Sequence, residues 1–213
     1  MSDSKTEHRA FLNRYYGMSR RIYDVTRKYY LFGRDTAIER LAGETDWRRL
    51  VEIGPGTGRN LELLHRARPD ATLGGIDASD AMLDHARARC PWAVFEHGFA
   101  EDAPLGHVLG GPPDRVLFSY CLSMVHDRTA ALDNARRSLS DGGSVLVVDF
   151  ADLAGVPSPL ARGFRAYLNA FHVEPLDQAI LESATSIQFG PGRYYVIAAF
   201  GSTGRSTRVR THP

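Results

Sequence analysis

The chain has 213 residues, 43% hydrophobic and 24% charged, with a net charge of +1. This suits one globular domain with a sizeable core and argues against a general nucleic-acid binder. Its two cysteines, Cys90 and Cys121, make neither a metal-ligand spacing nor a disulfide framework, and no apolar run reaches the roughly 18 residues of a membrane span. The polar start, "MSDSKTEHRA", does not read as a secretory signal, so the expectation is a cytoplasmic protein.

Residues 1–40 form a leading segment with nine Lys or Arg against five acids, a local +4. Apolar and aromatic positions at 11/12, 15/16, 22/23 and 29/30 approach helical period. The segment is therefore expected to be a helical lid, packed on the domain and touching an anionic membrane surface. Residues 41–200 are expected to form the main domain. "RLVEIG" reads as a buried strand, then come glycines and the helical "NLELLHRA". "ATLGGID" is a second strand, and "SDAMLDHARARC" a helix capped by Ser79 or Asp80. "WAVFEHG" and "DRVLFSY" are the third and fourth strands. The helical "RTAALDNARRSLSDGG" follows, ending in a glycine pair suited to a C-cap. "SVLVVDF" is the fifth strand. Residues 151–184 are an insert on the substrate side, with "GVPSPLARGFRAYLNAFH" helical and Leu160, Phe164, Leu168 and Phe171 near one face. "ATSIQF" and "GRYYVIAAF", separated by "GPG", read as a closing hairpin, and 201–213 as a flexible tail.

Repeated βα units imply an α/β fold, a mostly parallel sheet with helices on both faces and a ligand site at the carboxyl ends of its strands. The stretch "VEIGPGTGRN", residues 51–60, lies at such an end. A dinucleotide fingerprint needs Gly at 59, where Arg59 stands, and the G-K-[S/T] of a phosphate loop is absent. What remains is Glu52 followed by Gly54, Gly56 and Gly58, a turn that a ligand backbone can approach beside a carboxylate that would repel phosphate.

With these residues the sequence resembles the class I S-adenosylmethionine-dependent methyltransferases, whose first motif looks like "VEIGPGTG". The resemblance implies a Rossmann-like, seven-stranded, mostly parallel sheet with a C-terminal β-hairpin. It implies S-adenosylmethionine as cofactor, S-adenosylhomocysteine as product, and no metal. Gly54, Pro55, Gly56, Gly58 and Asn60 would form the turn around the aminocarboxypropyl arm, with Glu52 partnering its cationic end. Asp77 would accept hydrogen bonds from both ribose hydroxyls. Ala78 and Met82 would flank the adenine, Phe99, Ala100 and Glu101 would line it, and Ser119 and Tyr120 would approach the methionine part. The family commonly has Asp at the position of Phe99.

The stretch "RRIYDVTRKYYLFGRD" resembles the N-terminal region of bacterial betaine-lipid N-methyltransferases. That likeness implies a lipid substrate with an amine headgroup, diacylglyceryl-homoserine, and a peripheral position at the inner membrane face. It also implies a pathway partner that transfers the aminocarboxypropyl group. Phosphatidylethanolamine and phosphoethanolamine N-methyltransferases stay as alternatives. An aliphatic ammonium with a reference pKa of about 10.4 is deprotonated at pH 7 in only roughly one molecule in 10³, so a base or a pKa shift is needed. His126, in "SMVHD", is the candidate base, with Asp127 to orient it. By analogy with the Tyr/His pair of phosphoethanolamine methyltransferases, Tyr23 is the candidate tyrosine, ahead of Tyr15, Tyr16, Tyr29 and Tyr30. Arg162 and Arg165 could meet a carboxylate or phosphate. A methylase of nucleic acid would want Asn/Asp-Pro-Pro-aromatic after the fourth strand, where "SYCL" stands, so no nucleic-acid partner is expected.

Overall fold

A computed structural model describes residues 31–170 and 173–202. Seven strands form one sheet in the order β3-β2-β1-β4-β5-β7-β6. They are β1 (Arg49–Ile53), β2 (Thr72–Asp77), β3 (Val94–His97), β4 (Arg115–Ser119), β5 (Ser144–Phe150), β6 (Ser186–Phe189) and β7 (Tyr195–Gly201). β1 to β5 pair in parallel, whereas β7 runs antiparallel to β5 and to β6, which makes the expected hairpin. The chain order reverses between β1 and β4, so a crevice opens at the carboxyl ends of those two strands.

The helices are α1 (Arg34–Gly43), α2 (Arg59–Ala67), α3 (Asp80–Arg89), α4 (Leu105–Val108), α5 (Arg128–Ser138), α6 (Ser158–Ala170) and α7 (Gln178–Glu182). Two buried clusters cover the sheet faces. One joins Leu41, Trp47, Leu61, Leu64 and Leu83 to Leu50 and Leu117. The other joins Leu105, Val108, Leu132 and Ala135 to Val51, Val116 and Val145. Alternate residues of β1 therefore face opposite layers, as the two-residue period of a strand requires. Far from the crevice, the buried Arg115 guanidinium meets Glu44 at 2.9 Å and Asp46 at 2.6 Å, and the Asp114 carboxylate accepts the Arg48 and Arg49 amides.

Some boundaries differ from expectation. α1 runs through residues 40 and 41 and buries Ala37, Ile38 and Leu41 in the domain core. Ser79, and not Asp80, caps α3 by accepting the Met82 amide. α5 ends at Ser138 with Leu139 as its cap, and the glycine pair lies beyond it, Gly142 turning the chain toward β5 at φ 77°. The insert helix starts only at Ser158, because Gly155–Pro157 pack in a turn against Gly192. Within it Leu168 is buried and Phe164 half-buried, while Leu160 is 68% exposed. Phe171, the tyrosines at 15, 16, 23, 29 and 30, and the tail from 203 lie outside the described residues.

Candidate functional site

β1 delivers its carboxyl end into a turn clamped on both sides. Gly54 takes φ 66° and donates its amide to the Ile76 carbonyl at 2.8 Å, keeping the turn in register with β2. A Cβ at Gly54 would lie 2.5 Å from the Cys121 sulfur, and one at Gly75 on β2 would lie 2.8 Å from Pro55 Cγ. Side chains are thus excluded because neighbouring segments fill the space, and the freed backbone faces the crevice. The Gly56 amide donates to Asp77 Oδ2 at 3.3 Å, and the Ser79 amide to Oδ1 at 2.9 Å. These bonds fix the Asp77 carboxylate at the end of β2 beside the glycine turn.

Two recesses share Gly54 and Gly56. The first, of about 700 Å³, is walled on one side by Asp77, Ala78, Met82, Phe99, Ala100 and Glu101. Its other wall is the loop after β4, with Tyr120, Cys121, Met124, Val125 and His126. The second, of about 810 Å³, is lined by Glu52, Pro55, Asn60 and Ser119 together with Leu31 and Arg34. Of the expected cofactor residues, only Gly58 lines neither. It serves instead as the left-handed N-cap of α2, where a Cβ would stand 3.3 Å from the Ala86 backbone. His126 is exposed and lines the first recess. Asp127 does not orient it through any described hydrogen bond; its Oδ1 accepts the Ala130 amide and caps α5. Tyr23 is outside the described residues.

The second recess offers both signs of charge, with the Glu52 carboxylate on one part of its lining and Arg34, Arg59 and Arg89 on the rest. Glu52 is buried and accepts the Asn60 amide group at 2.7 Å. Asn60 Oδ1 and Ser119 Oγ are buried there with no hydrogen-bond partner. A buried carbonyl oxygen and a hydroxyl beside a carboxylate form an acceptor set for an ammonium group, and the arginines of the same recess suit the carboxylate beside it. The glycine cradle, the fixed Asp77 carboxylate and these acceptors therefore fit S-adenosylmethionine. They would hold its aminocarboxypropyl end in the second recess and its nucleoside in the first.

Several shaping contacts escaped sequence reasoning, including those of Tyr120, whose place at the site was expected. Asn134 of α5 donates to the Ala100 and Ala103 carbonyls at 3.0 Å, holding the loop that carries Phe99, Ala100 and Glu101. Tyr120 is buried at φ 52°, and its hydroxyl donates to the Phe32 carbonyl. Burial, with the Asp149 carboxylate nearby, pushes the Tyr120 phenol far above its usual range, so it acts as a neutral donor. Rings of Tyr120, Phe150, Phe164 and Tyr194 pack at centroid distances of 4.7 to 5.9 Å, joining the cleft wall to α6. Within "VLVVDF" the lone carboxylate, Asp149, was the signal available and passed over.

Comparison with known proteins agrees with this geometry. The family profile for a methyltransferase domain matches residues 23–193. Over 153 residues the chain is 35% identical to a trans-aconitate 2-methyltransferase of Variovorax paradoxus, covering 71% of this chain and 56% of that one. Over 176 residues it is 27% identical to a demethylmenaquinone methyltransferase of Tropheryma whipplei, covering 76% and 68%. The chain spans only 37% to 56% of the length of the trans-aconitate enzymes from Methylobacterium nodulans and Variovorax paradoxus. Among solved structures, an S-adenosylmethionine-dependent methyltransferase of Thermotoga maritima, described as a possible histamine N-methyltransferase, superposes with a TM-score of 0.61. It is 19% identical, with 90% and 95% of the two chains covered. The chain belongs to the methyltransferase-domain family, with S-adenosylmethionine as its cofactor.

Proposed function

We propose that this protein is an N-methyltransferase for a lipid headgroup amine, with diacylglyceryl-homoserine as acceptor and its trimethylated betaine form as product. One observation carries the reading. The stretch that resembles betaine-lipid enzymes ends in Leu31, Phe32 and Arg34, and those residues meet the cofactor site. Leu31 and Arg34 line the second recess, and Phe32 receives the Tyr120 hydroxyl. The relatives' names give other acceptors, trans-aconitate and demethylmenaquinone, so the amine is supported by this stretch and by His126.

When bound, S-adenosylmethionine supplies an electrophilic methyl group on a sulfonium. The chain's own task is to deliver an amine nitrogen with a free lone pair. Forming that neutral amine from an alkylammonium at pH 7 costs about 4 to 5 kcal/mol. His126 is the only histidine on the described walls of the two recesses and is the group we assign to take the proton. Glu52, Asn60 and Ser119 would hold the cofactor's ammonium, and Asp77 its ribose. The loop from Tyr120 to His126 walls the first recess and would stand between nucleoside and acceptor. The basic character of residues 1–40 supports peripheral binding at an anionic membrane face, each basic residue near the surface contributing about 1 kcal/mol.

The test is transfer of labelled methyl with separate acceptors: diacylglyceryl-homoserine or phosphatidylethanolamine in mixed micelles, free phosphoethanolamine, and trans-aconitate. Label on the homoserine lipid, lost in His126→Gln with cofactor affinity retained, is the expected result. Label on trans-aconitate alone would overturn the amine reading. Label on either ethanolamine compound alone would keep N-methylation and remove the homoserine lipid.

A further inference from the structure

We infer that Asp149, a carboxylate outside both recesses, is a positioning residue that fixes the acceptor-side wall of the cleft through the Ser123 amide. Asp149 is fully buried one residue before the end of β5. Its Oδ2 accepts the Ser123 amide at 2.9 Å, and its Oδ1 accepts the Phe150 amide at 2.8 Å. Ser123 is the centre of a single 3-10 turn, Leu122–Met124, between Cys121 and Val125. Cys121, Met124, Val125 and His126 all line the first recess. Of the chain from β4 to the cleft wall, Ser123 is therefore the point tied to the sheet by a side chain.

Four further contacts make this tie the hub of the region. The Ser123 carbonyl accepts the Glu174 amide at 3.2 Å, and the Phe150 carbonyl accepts the Leu176 amide at 3.0 Å. Arg128, at the start of α5, pairs with Glu174 at 2.6 Å and donates to the Pro175 carbonyl. Through Ser123, Asp149 thus connects the cleft wall to the insert. The wall also leaves β4 through Tyr120 at φ 52°, a backbone state that a β-carbon disfavours and that neighbouring contacts must enforce. Two backbone donors converge on one carboxylate, and only the ionised form offers both oxygens purely as acceptors.

Burial raises the Asp149 carboxyl to about 6, against the lowering effect of its hydrogen bonds and of Arg128, the cation that faces it from α5. Tyr120, the other titratable group coupled to it, stays neutral. Below pH 6 the carboxyl gains an O–H, and one of its oxygens becomes a donor facing an amide.

The inference rests on the wall being the methyl-transfer side, yet its test needs no acceptor. Amide hydrogen exchange of the wild-type protein is measured at pH 7.5 and pH 5, corrected for intrinsic rates. Protection of the Ser123 to Val125 amides, taken relative to Val147 in β5, is expected to fall about tenfold at pH 5, the worth of one hydrogen bond to an ionised acceptor. In Asp149→Asn the same amides lose protection already at pH 7.5, and the Cys121 thiol reacts faster with a disulfide reagent. Unchanged relative protection at pH 5 would overturn the inference, as would a loss spread equally over β5 and β7. If the Asn variant does not fold, the wild-type exchange profile alone decides. A failed lipid assay with this profile intact removes only the acceptor.

Discussion

Gly54→Ala is the most informative single change, because the structure gives both components of its cost. The residue sits at φ 66°, where a β-carbon costs about 1 to 2 kcal/mol. The new methyl would stand 2.5 Å from Cys121 Sγ and 3.0 Å from Cys121 Cβ. Overpacking of that kind costs about 1 to 3 kcal/mol, so the sum is about 2 to 5 kcal/mol. The turn cannot retreat freely, since the Gly54 amide is held by Ile76 at 2.8 Å. Cys121 must move instead, and it belongs to the cleft wall. Calorimetric titration with S-adenosylhomocysteine is expected to register about a tenfold weaker affinity, and urea denaturation the loss of stability. Cys121→Ala should be mild by itself. Combined with Gly54→Ala it should restore about 1 to 2 kcal/mol, leaving the backbone share. Costs that add within about 0.5 kcal/mol would refute the steric argument.

Asp77→Ala removes the acceptor expected for the ribose hydroxyls and frees the Gly56 and Ser79 amides, so cofactor affinity should drop about a hundredfold or more by the same calorimetry, with Asp77→Asn between. Arg115→Ala should destabilise by about 2 to 3 kcal/mol in urea denaturation. The cost is below that of a fully buried pair because Glu44 and Asp46, 30% and 71% exposed, can rehydrate. Asp149 is raised from 3.8 to about 6 on folding, so the native state holds its proton more tightly than the unfolded chain. Its contribution is therefore most favourable below pH 4, is lost as pH rises from 4 to 6, and is fully lost above. Relative to the wild type, Asp149→Asn should gain about 3 kcal/mol across that window in pH-dependent denaturation.

The glycine turn, Asp77 and the strand pattern were legible in the sequence because each answers to local chemistry. Left-handed backbone demands Gly, a buried strand demands an apolar run, and Ser79 caps wherever a helix follows. Glu52 was legible as a carboxylate without a phosphate to repel. What escaped was settled by contacts far apart in sequence. Asn134 reaches the Ala100 carbonyl from another helix, and Tyr120 meets Phe32 across 88 positions. Asp127 looked like a partner for His126 because the two are adjacent, yet its position before α5 made capping the nearer demand. The insert helix misled for a related reason: its apolar spacing was real, but among the described residues Ala161 and Leu168 are buried, Phe164 packs half-buried on the core and Leu160 stays exposed.

The ion pairs of Arg115 and the carboxylate of Asp114 sit at the amino ends of the parallel strands, whereas every residue assigned to chemistry sits at the carboxyl ends. The two ends therefore carry separable burdens. Loops at one end can change their acceptor through drift in a few side chains while the other continues to secure the sheet, and mutations at opposite ends should add in their effects on stability. A lineage built this way can explore new methyl acceptors without first acquiring a new fold.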